Sequence, residues 1–230
     1  MKTSILQNND INKTEWDKLV HGSAQGSVFL ESSFLDAILP GEWGGIIVED
    51  KEGWQALMPI NTKSKWGIHY ALQPFFTKYW GIAFAKKEFK NIHGQFSWKK
   101  KMVAAISGLI PSNIQSIEYN FHPAFDYPLP FFWKNYTIQT KYTSILRVAE
   151  MDEQAIFKNY TDSLKNSIRT AEKNNITIIK DSSAESLLFI LSENIKSGKE
   201  IIDPKQYPKW KDLFKWVKKT GEWFFFNGCR

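Results

Sequence analysis

The chain has 230 residues, a hydrophobic fraction of 43% and a formal net charge of +6, which allow one large domain or two small ones. The basic residues are almost all lysines, which argues weakly against sequence-specific DNA reading through arginine forks. A single cysteine excludes a disulfide framework within the chain and suits a reducing compartment. With no recognisable signal peptide or membrane-spanning run, the sequence predicts a cytoplasmic protein without a transmembrane segment.

The N-terminal part of the chain alternates short helical patterns with β-rich stretches. Helix-start and helix-stop residues delimit the helices, and a turn of sequence EDKEG separates the two halves of a hairpin. The predicted helices are residues 14–22, 31–39 and 99–109. The predicted strands are Val28–Phe29, the hairpin 46–61, a stretch from Ile68 that Pro74 interrupts, and residues 116–121.

The second half begins with one or two predicted strands over residues 136–149. One long helix is predicted over residues 151–175, because apolar residues recur every four positions on one face. The remaining predicted elements are a strand at 176–180, helices at 183–198 and 205–221, and a strand at 222–226. This mixed order favours an α+β fold over a regularly alternating parallel sheet.

A ridge of basic residues is the sharpest local feature of the long helix. Lys165, Arg169 and Lys173 are spaced i, i+4 and i+8, so on a helix their like charges repel. An anionic ligand over the ridge would offset that repulsion. The competing interpretation is a solvated helix face with Asp162 and Glu172 as counter-ions, and the spacing alone favours the solvated face.

Two further features each leave alternatives open. The lysine-rich helix at 205–219 is compatible with a membrane-surface helix, a nucleic-acid-binding face or an ordinary amphipathic helix. The ordinary helix is favoured, since any packed helix needs an apolar stripe of this width. The Pro-rich aromatic loops at 73–81 and 121–133 fit either a pocket lining or a cap on the edge of a sheet.

Several common catalytic motifs are absent from the sequence. It contains no G-x-G-x-x-G or P-loop pattern and no G-x-S-x-G elbow. The four histidines are far apart, and none stands near the single cysteine, so we expect no metal site.

Taken in order, the segments resemble the FemABX-like branch of the GNAT acyltransferase superfamily. The resemblance is carried by the early SVFLESSFLDAI, by FFTKYWG, by FHPAFDYPLPFFW with YTSILRV, and most specifically by SLKNSIRTAEKNNITI. In the last segment, Lys165, Arg169, Ala171, Glu172 and Lys173 fill the family pattern. The resemblance covers the chain from about Trp16 to Phe226.

The resemblance implies two GNAT-like domains, each with a mixed sheet flanked by helices, at residues 1–141 and 142–230. Family members transfer an acyl or aminoacyl group from a thioester or a charged tRNA to an amine, and the best-known ones extend peptidoglycan cross-bridges. The implied acceptor is thus a small-molecule or cell-wall-precursor amine. The implied donor in the complete protein is an acyl-CoA or an aminoacyl-tRNA, with no metal and no DNA partner.

The resemblance also implies substrate-binding residues. Lys165 and Arg169 would contact an anionic acceptor, and Tyr79, Trp80 and His122 would lie in first-domain loops near the substrate. No residue is singled out as the catalytic base. Three residues are compatible with that role, namely Glu118, Tyr119 and Asp126.

The donor-binding strand and helix of the family have no counterpart in the second predicted domain, and no Q/R-x-x-G-x-G/A run occurs. We therefore expect a C-terminally truncated member with one complete domain and the N-terminal part of a second. Two alternatives remain. The chain could be a non-catalytic module that binds an anionic sugar or peptide, or a nucleic-acid or membrane-surface binder acting through the helix at 205–219.

Overall fold

The computed structural model describes residues 1–143, 151–181, 189, 207–220 and 225–229. The chain divides into two compact units, Met1–Gln139 (unit 1) and Thr140–Arg230 (unit 2). The described helices are α1 (Lys13–Gly22), α2 (Ser32–Ile38), α3 (Ile92–Leu109), α4 (Leu129–Phe132), α5 (Glu153–Lys158), α6 (Asp162–Lys173) and α7 (Tyr207–Thr220). The described strands are β1 (Lys2–Gln7), β2 (Gly44–Asp50), β3 (Gly53–Ile60), β4 (Thr62–Lys65), β5 (Ile68–Leu72), β6 (Ala83–Phe84), β7 (Ile114–Glu118), β8 (Thr177–Asp181) and β9 (Phe225–Cys229).

Unit 1 contains two sheets. The first is antiparallel and has the strand order β1-β2-β3-β6. The second has the order β4-β5-β7, with β5 antiparallel to β4 and parallel to β7. These sheets with their flanking helices confirm the predicted α+β class and are consistent with a GNAT-like domain.

Helix α3 covers one face of the first sheet. Ile46 and Met58 are opposite each other in the β2–β3 register, and both belong to a buried cluster with Val103 and Ile106 of α3. Side chains alternate between the faces of a strand, so these β2 and β3 residues share the α3 face. Burial of this apolar surface is the main force that holds α3 on the sheet.

The opposite face of the same sheet packs against α1. Trp16 of α1 is fully buried, and a Cβ atom at Gly45 of β2 would lie 2.5 Å from its ring. Only glycine therefore permits this close approach. The Trp16 indole N–H donates to the Leu30 carbonyl at 2.7 Å, and its ring meets Trp43 edge-on at 5.2 Å. The first sheet is thus covered by helices on both faces.

Several predicted elements of unit 1 differ from the structure. The segment Val28–Phe29 is not a strand but begins a 3₁₀ turn, Val28–Leu30. Helix α3 starts at Ile92 rather than Lys99, because the Asn91 side chain caps it by accepting from the Gly94 N–H. Strands β1 and β4 were not predicted. One or two strands were predicted over residues 136–149, but residues 136–143 have no regular structure, and residues 144–149 lie outside the described residues.

In unit 2, the long helix predicted over 151–175 is two helices, α5 and α6. Asp152 caps α5, and Thr161 caps α6 by accepting from the Leu164 N–H at 3.3 Å. A threonine with extended backbone at a helix start ends the preceding helical path, which explains the interruption. The basic ridge nevertheless lies within the single helix α6.

The remaining described parts of unit 2 are α7 and an antiparallel pair, β8 and β9, in which Thr177 is opposite Cys229. The apolar side of α7 is buried at Phe214, Trp216 and Val217, as expected for an ordinary amphipathic helix. The predicted helix at 183–198, apart from Phe189, and residues 222–224 of the last predicted strand lie outside the described residues. None of the described helices is long and apolar enough to cross a bilayer.

Candidate functional site

An open groove of about 570 Å³ lies in unit 2, between α5 and α6. Two of its lining residues, Lys165 and Arg169, were predicted as substrate-binding residues. Their spacing of one helical turn brings them to the same side of α6. The complete lining consists of Glu153, Gln154, Phe157, Lys158, Lys165 and Arg169.

The charge of the groove lining is positive. Lys158, Lys165 and Arg169 contribute three cationic side chains, and Glu153 is the one acid among the lining residues. Phe157 adds a partly exposed aromatic ring, whose centroid lies 5.9 Å from that of Tyr160. A groove with these side chains suits a ligand that combines an anionic group with an apolar or planar part.

Lys165 is held in place by the end of the neighbouring helix. Its ammonium donates to the Lys158 carbonyl oxygen at 2.9 Å. Lys158 is the last residue of α5, so this carbonyl has no partner inside the helix. Arg169 makes a longer contact, 3.4 Å from its Nη1 to the Asn166 Oδ1 on the same helix. Both cationic groups remain partly exposed and can still donate to a ligand.

The other predicted site residues lie in unit 1. The rings of Tyr79 and His122 are in edge-to-face contact, with centroids 4.9 Å apart. Phe29 is also in edge-to-face contact with Tyr79, with ring centroids 6.3 Å apart. The Lys78 ammonium lies 5.6 Å from the centre of the Tyr79 ring. Tyr79 and His122 are half-buried, so part of each ring can be reached from solvent.

A backbone contact determines which nitrogen of His122 carries the proton. The Ala124 N–H donates to His122 Nδ1 at 3.1 Å, so in the neutral ring the proton is on Nε2. Burial lowers the pKa of His122 below its usual value, which favours this neutral form. His122 Nε2 is consequently a hydrogen-bond donor, suited to an acceptor oxygen of a ligand rather than to taking up a proton.

Trp80 is fully buried, so its side chain offers no surface to a ligand. Its ring lies 6.3 Å from that of Tyr119, and neither the Trp80 Nε1 nor the Tyr119 Oη has a hydrogen bond of good geometry among the described residues. Burial raises the pKa of Tyr119 well above its usual value, and interactions with Trp80 and Asn61 reduce that rise only in part.

The three residues considered as a catalytic base differ in their surroundings. Tyr119 is a poor candidate because its raised pKa keeps the hydroxyl protonated. Both Asp126 carboxylate oxygens accept hydrogen bonds from the buried Lys99 ammonium at 2.7 Å, so this carboxylate already serves as a counter-ion. Glu118 is exposed at the end of β7. No residue is identified as the base by this geometry.

Residues of the groove that the sequence did not indicate lie on α5. Lys158 precedes Lys165 by seven residues, which is two turns of a continuous helix and would have placed it on the same ridge. Because the helix is interrupted before Thr161, Lys158 and Lys165 are on two different helices instead of one ridge. The sequence pattern did not reveal this interruption. Within the described parts of the chain, no group of three or more His, Cys, Asp or Glu residues is arranged to hold a metal ion.

The comparisons with known proteins agree with the fold. No family model matches the chain, and no curated protein matches it. Among solved structures, it is similar to the one titled "Crystal structure of FemX", with 11% sequence identity and a TM-score of 0.53. The match covers 98% of this chain and 57% of the FemX chain, so the chain spans a little over half the length of FemX. At this identity the likeness concerns the fold alone, and the chain has a FemABX-type fold.

Proposed function

We propose that this chain is part of an acyltransferase or aminoacyltransferase that acts on an amine acceptor, with a cell-wall precursor as the acceptor class. The observation that carries the proposal is the cationic groove of α5 and α6, in a chain with a FemABX-type fold. The groove contains the two residues that the family resemblance assigns to the acceptor's anionic group, Lys165 and Arg169.

The chemistry requires the acceptor amine to attack an activated carbonyl and then to lose a proton. The proposed role of Lys165 and Arg169 is to hold the acceptor by its anionic group, which fixes the amine relative to the donor. As a separate contact site within unit 1, His122 would donate its Nε2–H to a ligand oxygen, and Tyr79 would offer an aromatic face. Because the chain spans 57% of FemX, the acyl-CoA or aminoacyl-tRNA donor is proposed for the complete protein.

The test is the charge-reversed double variant Lys165→Glu with Arg169→Glu. Affinity for a peptidoglycan-precursor acceptor, and for inorganic pyrophosphate as a simple anion, would be measured by titration calorimetry. Charge-assisted hydrogen bonds contribute about 1.5–3 kcal/mol each, so we expect a loss of at least about tenfold. Unchanged affinity would disprove the role of the groove.

The control is Lys173→Glu, which reverses a charge one turn further along α6, where the side chain does not line the groove. We expect this variant to retain most of the affinity. Acceptor binding that depends on Lys165 and Arg169, without any acyl transfer in the complete protein, would instead favour a binding module for an anionic sugar or peptide.

A further inference from the structure

The loop between β4 and β5 is a tight turn with an unusual residue in it. Lys65 and Ile68 are paired in the register, which leaves Trp66 and Gly67 as a two-residue turn. Both have positive φ angles, 53° and 78°. That is the pattern of a type I′ turn, for which Asn-Gly is the preferred sequence. A bulky residue at positive φ is a conformational outlier.

The indole of Trp66 gains little from packing in return for this strain. Trp66 is 89% exposed, and the contact described for its ring is with the Lys65 ammonium, which lies 4.5 Å from the ring centre. Strained residues that persist without a packing reason occur preferentially at functional positions. The conformation holds a large amphipathic ring out in solvent at the end of a hairpin.

The side chains around the turn are apolar or basic. Ile68 is 50% exposed beside the turn, and residues 62–72 contain two lysines and no aspartate or glutamate. The Lys63 ammonium forms an ion pair with the Glu42 carboxylate, with 3.3 Å between Nζ and Oε2, whereas no ion pair is described for Lys65. The acid nearest in the sheet register is Glu118, opposite Leu72 at the far end of β5. The turn therefore combines an indole, an exposed isoleucine and positive charge.

We propose that the tip of the β4–β5 hairpin, formed by Lys65, Trp66, Gly67 and Ile68, docks on an anionic lipid surface. Tryptophan prefers the boundary between water and lipid, where its ring is buried and its N–H is hydrated. Lysines next to it are attracted to anionic headgroups. The proposal is independent of the transferase function.

The size of the tip favours a lipid surface over a protein partner. A stable protein interface buries about 800 Å² on each side, which is far more than a two-residue turn offers. A headgroup layer needs no complementary shape, because it deforms around an inserted ring. Docking through the tip also keeps the exposed Glu118, at the other end of the sheet, away from the anionic surface.

The test is co-sedimentation of the chain with phosphatidylcholine vesicles that contain or lack phosphatidylserine. We expect partitioning onto the anionic vesicles that decreases with added salt. The variant Trp66→Asn should reduce this partitioning by at least about tenfold, because burial of a large apolar side chain is lost. Lys65→Gln should reduce it by about fivefold.

Two comparisons separate lipid docking from loss of structure. Asn-Gly is the preferred type I′ sequence, so Trp66→Asn should have a melting temperature equal to or above that of the unaltered chain. Trp133 is also an exposed tryptophan with a lysine ammonium near its ring, Lys100 at 4.9 Å, but it is not in a hairpin turn. Trp133→Asn should leave vesicle binding unchanged.

The proposal is overturned if the unaltered chain does not bind anionic vesicles or if Trp66→Asn binds them equally well. Sedimentation velocity without lipid provides the other decisive outcome. Self-association that Trp66→Asn abolishes, in the absence of vesicle binding, would show that the tip contacts a second copy of the chain instead.

Discussion

The core of unit 1 and the α5–α6 pair of unit 2 use their polar and aromatic side chains in opposite ways. In unit 1, Trp80 is fully buried and the charged Lys99 is almost so, with Asp126 as its counter-ion. In α5 and α6 no residue is buried, and the cations of the groove are open to solvent. The difference teaches that substitutions in the buried core of unit 1 test the fold, whereas substitutions in the groove test binding.

The largest expected effect comes from Trp80→Ala. Removing a fully buried indole leaves a cavity, so we expect the free energy of unfolding to fall by about 3–5 kcal/mol. Urea denaturation measures it. Trp133→Ala serves as the control, because the same side chain is removed from an exposed position. Equal losses in the two variants would contradict the description of Trp80 as a core residue.

An intermediate effect is expected at Asp36 in unit 1. Its carboxylate accepts hydrogen bonds from Lys13 Nζ at 2.6 Å, Asn8 Nδ2 at 2.8 Å and Trp43 Nε1 at 3.0 Å. Asp36→Ala would leave the donors of Asn8 and of the buried Trp43 without this partner, at a cost of about 1–3 kcal/mol. Urea denaturation at neutral pH tests this.

The pH dependence of that cost has a definite sign. Burial alone would raise the pKa of Asp36, but the hydrogen bonds from Lys13, Asn8 and Trp43 outweigh it and lower the pKa. The ionised carboxylate thus stabilises the fold above the unfolded-state pKa of about 3.9, and this stabilisation is lost as the pH falls through the folded-state pKa. The gap between the unaltered chain and Asp36→Ala should narrow in acid. As a control, Asp10→Ala, at an exposed aspartate, should change the free energy of unfolding at neutral pH by no more than about 0.5 kcal/mol.

The smallest effect on stability is expected in the groove. The double variant Lys165→Gln with Arg169→Gln should change the free energy of unfolding by no more than about 0.5 kcal/mol, because both side chains are on a helix without buried residues. Thermal unfolding followed by circular dichroism measures it. A marked destabilisation would mean that these side chains serve the fold, and the contrast between the two regions would be lost.

The elements that the sequence predicted well are those whose signals, such as periodicity and turn residues, lie within the element itself or directly beside it. The β2–β3 hairpin follows from β-rich residues on both sides of the EDKEG turn, and α2 from the Pro and Gly that end it. Strand β1 was missed because its pairing with β2 is a long-range contact that leaves little mark on a short polar stretch. The division between α5 and α6 was missed because the four-residue spacing of apolar side chains continues across Thr161 and outweighed the preference of threonine for a helix start.

The candidate site was predicted in part. The spacing of Lys165 and Arg169 was sufficient to place them on one side of a helix, and the structure brings both into the groove. The contribution of α5 could not be predicted, since it depends on the angle at which one short helix meets the next. The burial of Trp80 depends on tertiary packing. Its sequence neighbours Tyr79 and Gly81 give no sign of that packing.

The bond between Lys165 and the Lys158 carbonyl gives one side chain a structural contact at the end of α5 in addition to the ligand contact proposed for it. The carbonyl uses one of the three N–H donors of the ammonium and leaves two for an incoming anion. Since a lysine that is already tethered loses less rotational freedom on binding, the ligand meets a partly preorganised cation. A ligand that drew this ammonium off the carbonyl would remove one of the contacts at the end of α5, and in that case occupancy of the groove would be linked to the order of that helical turn.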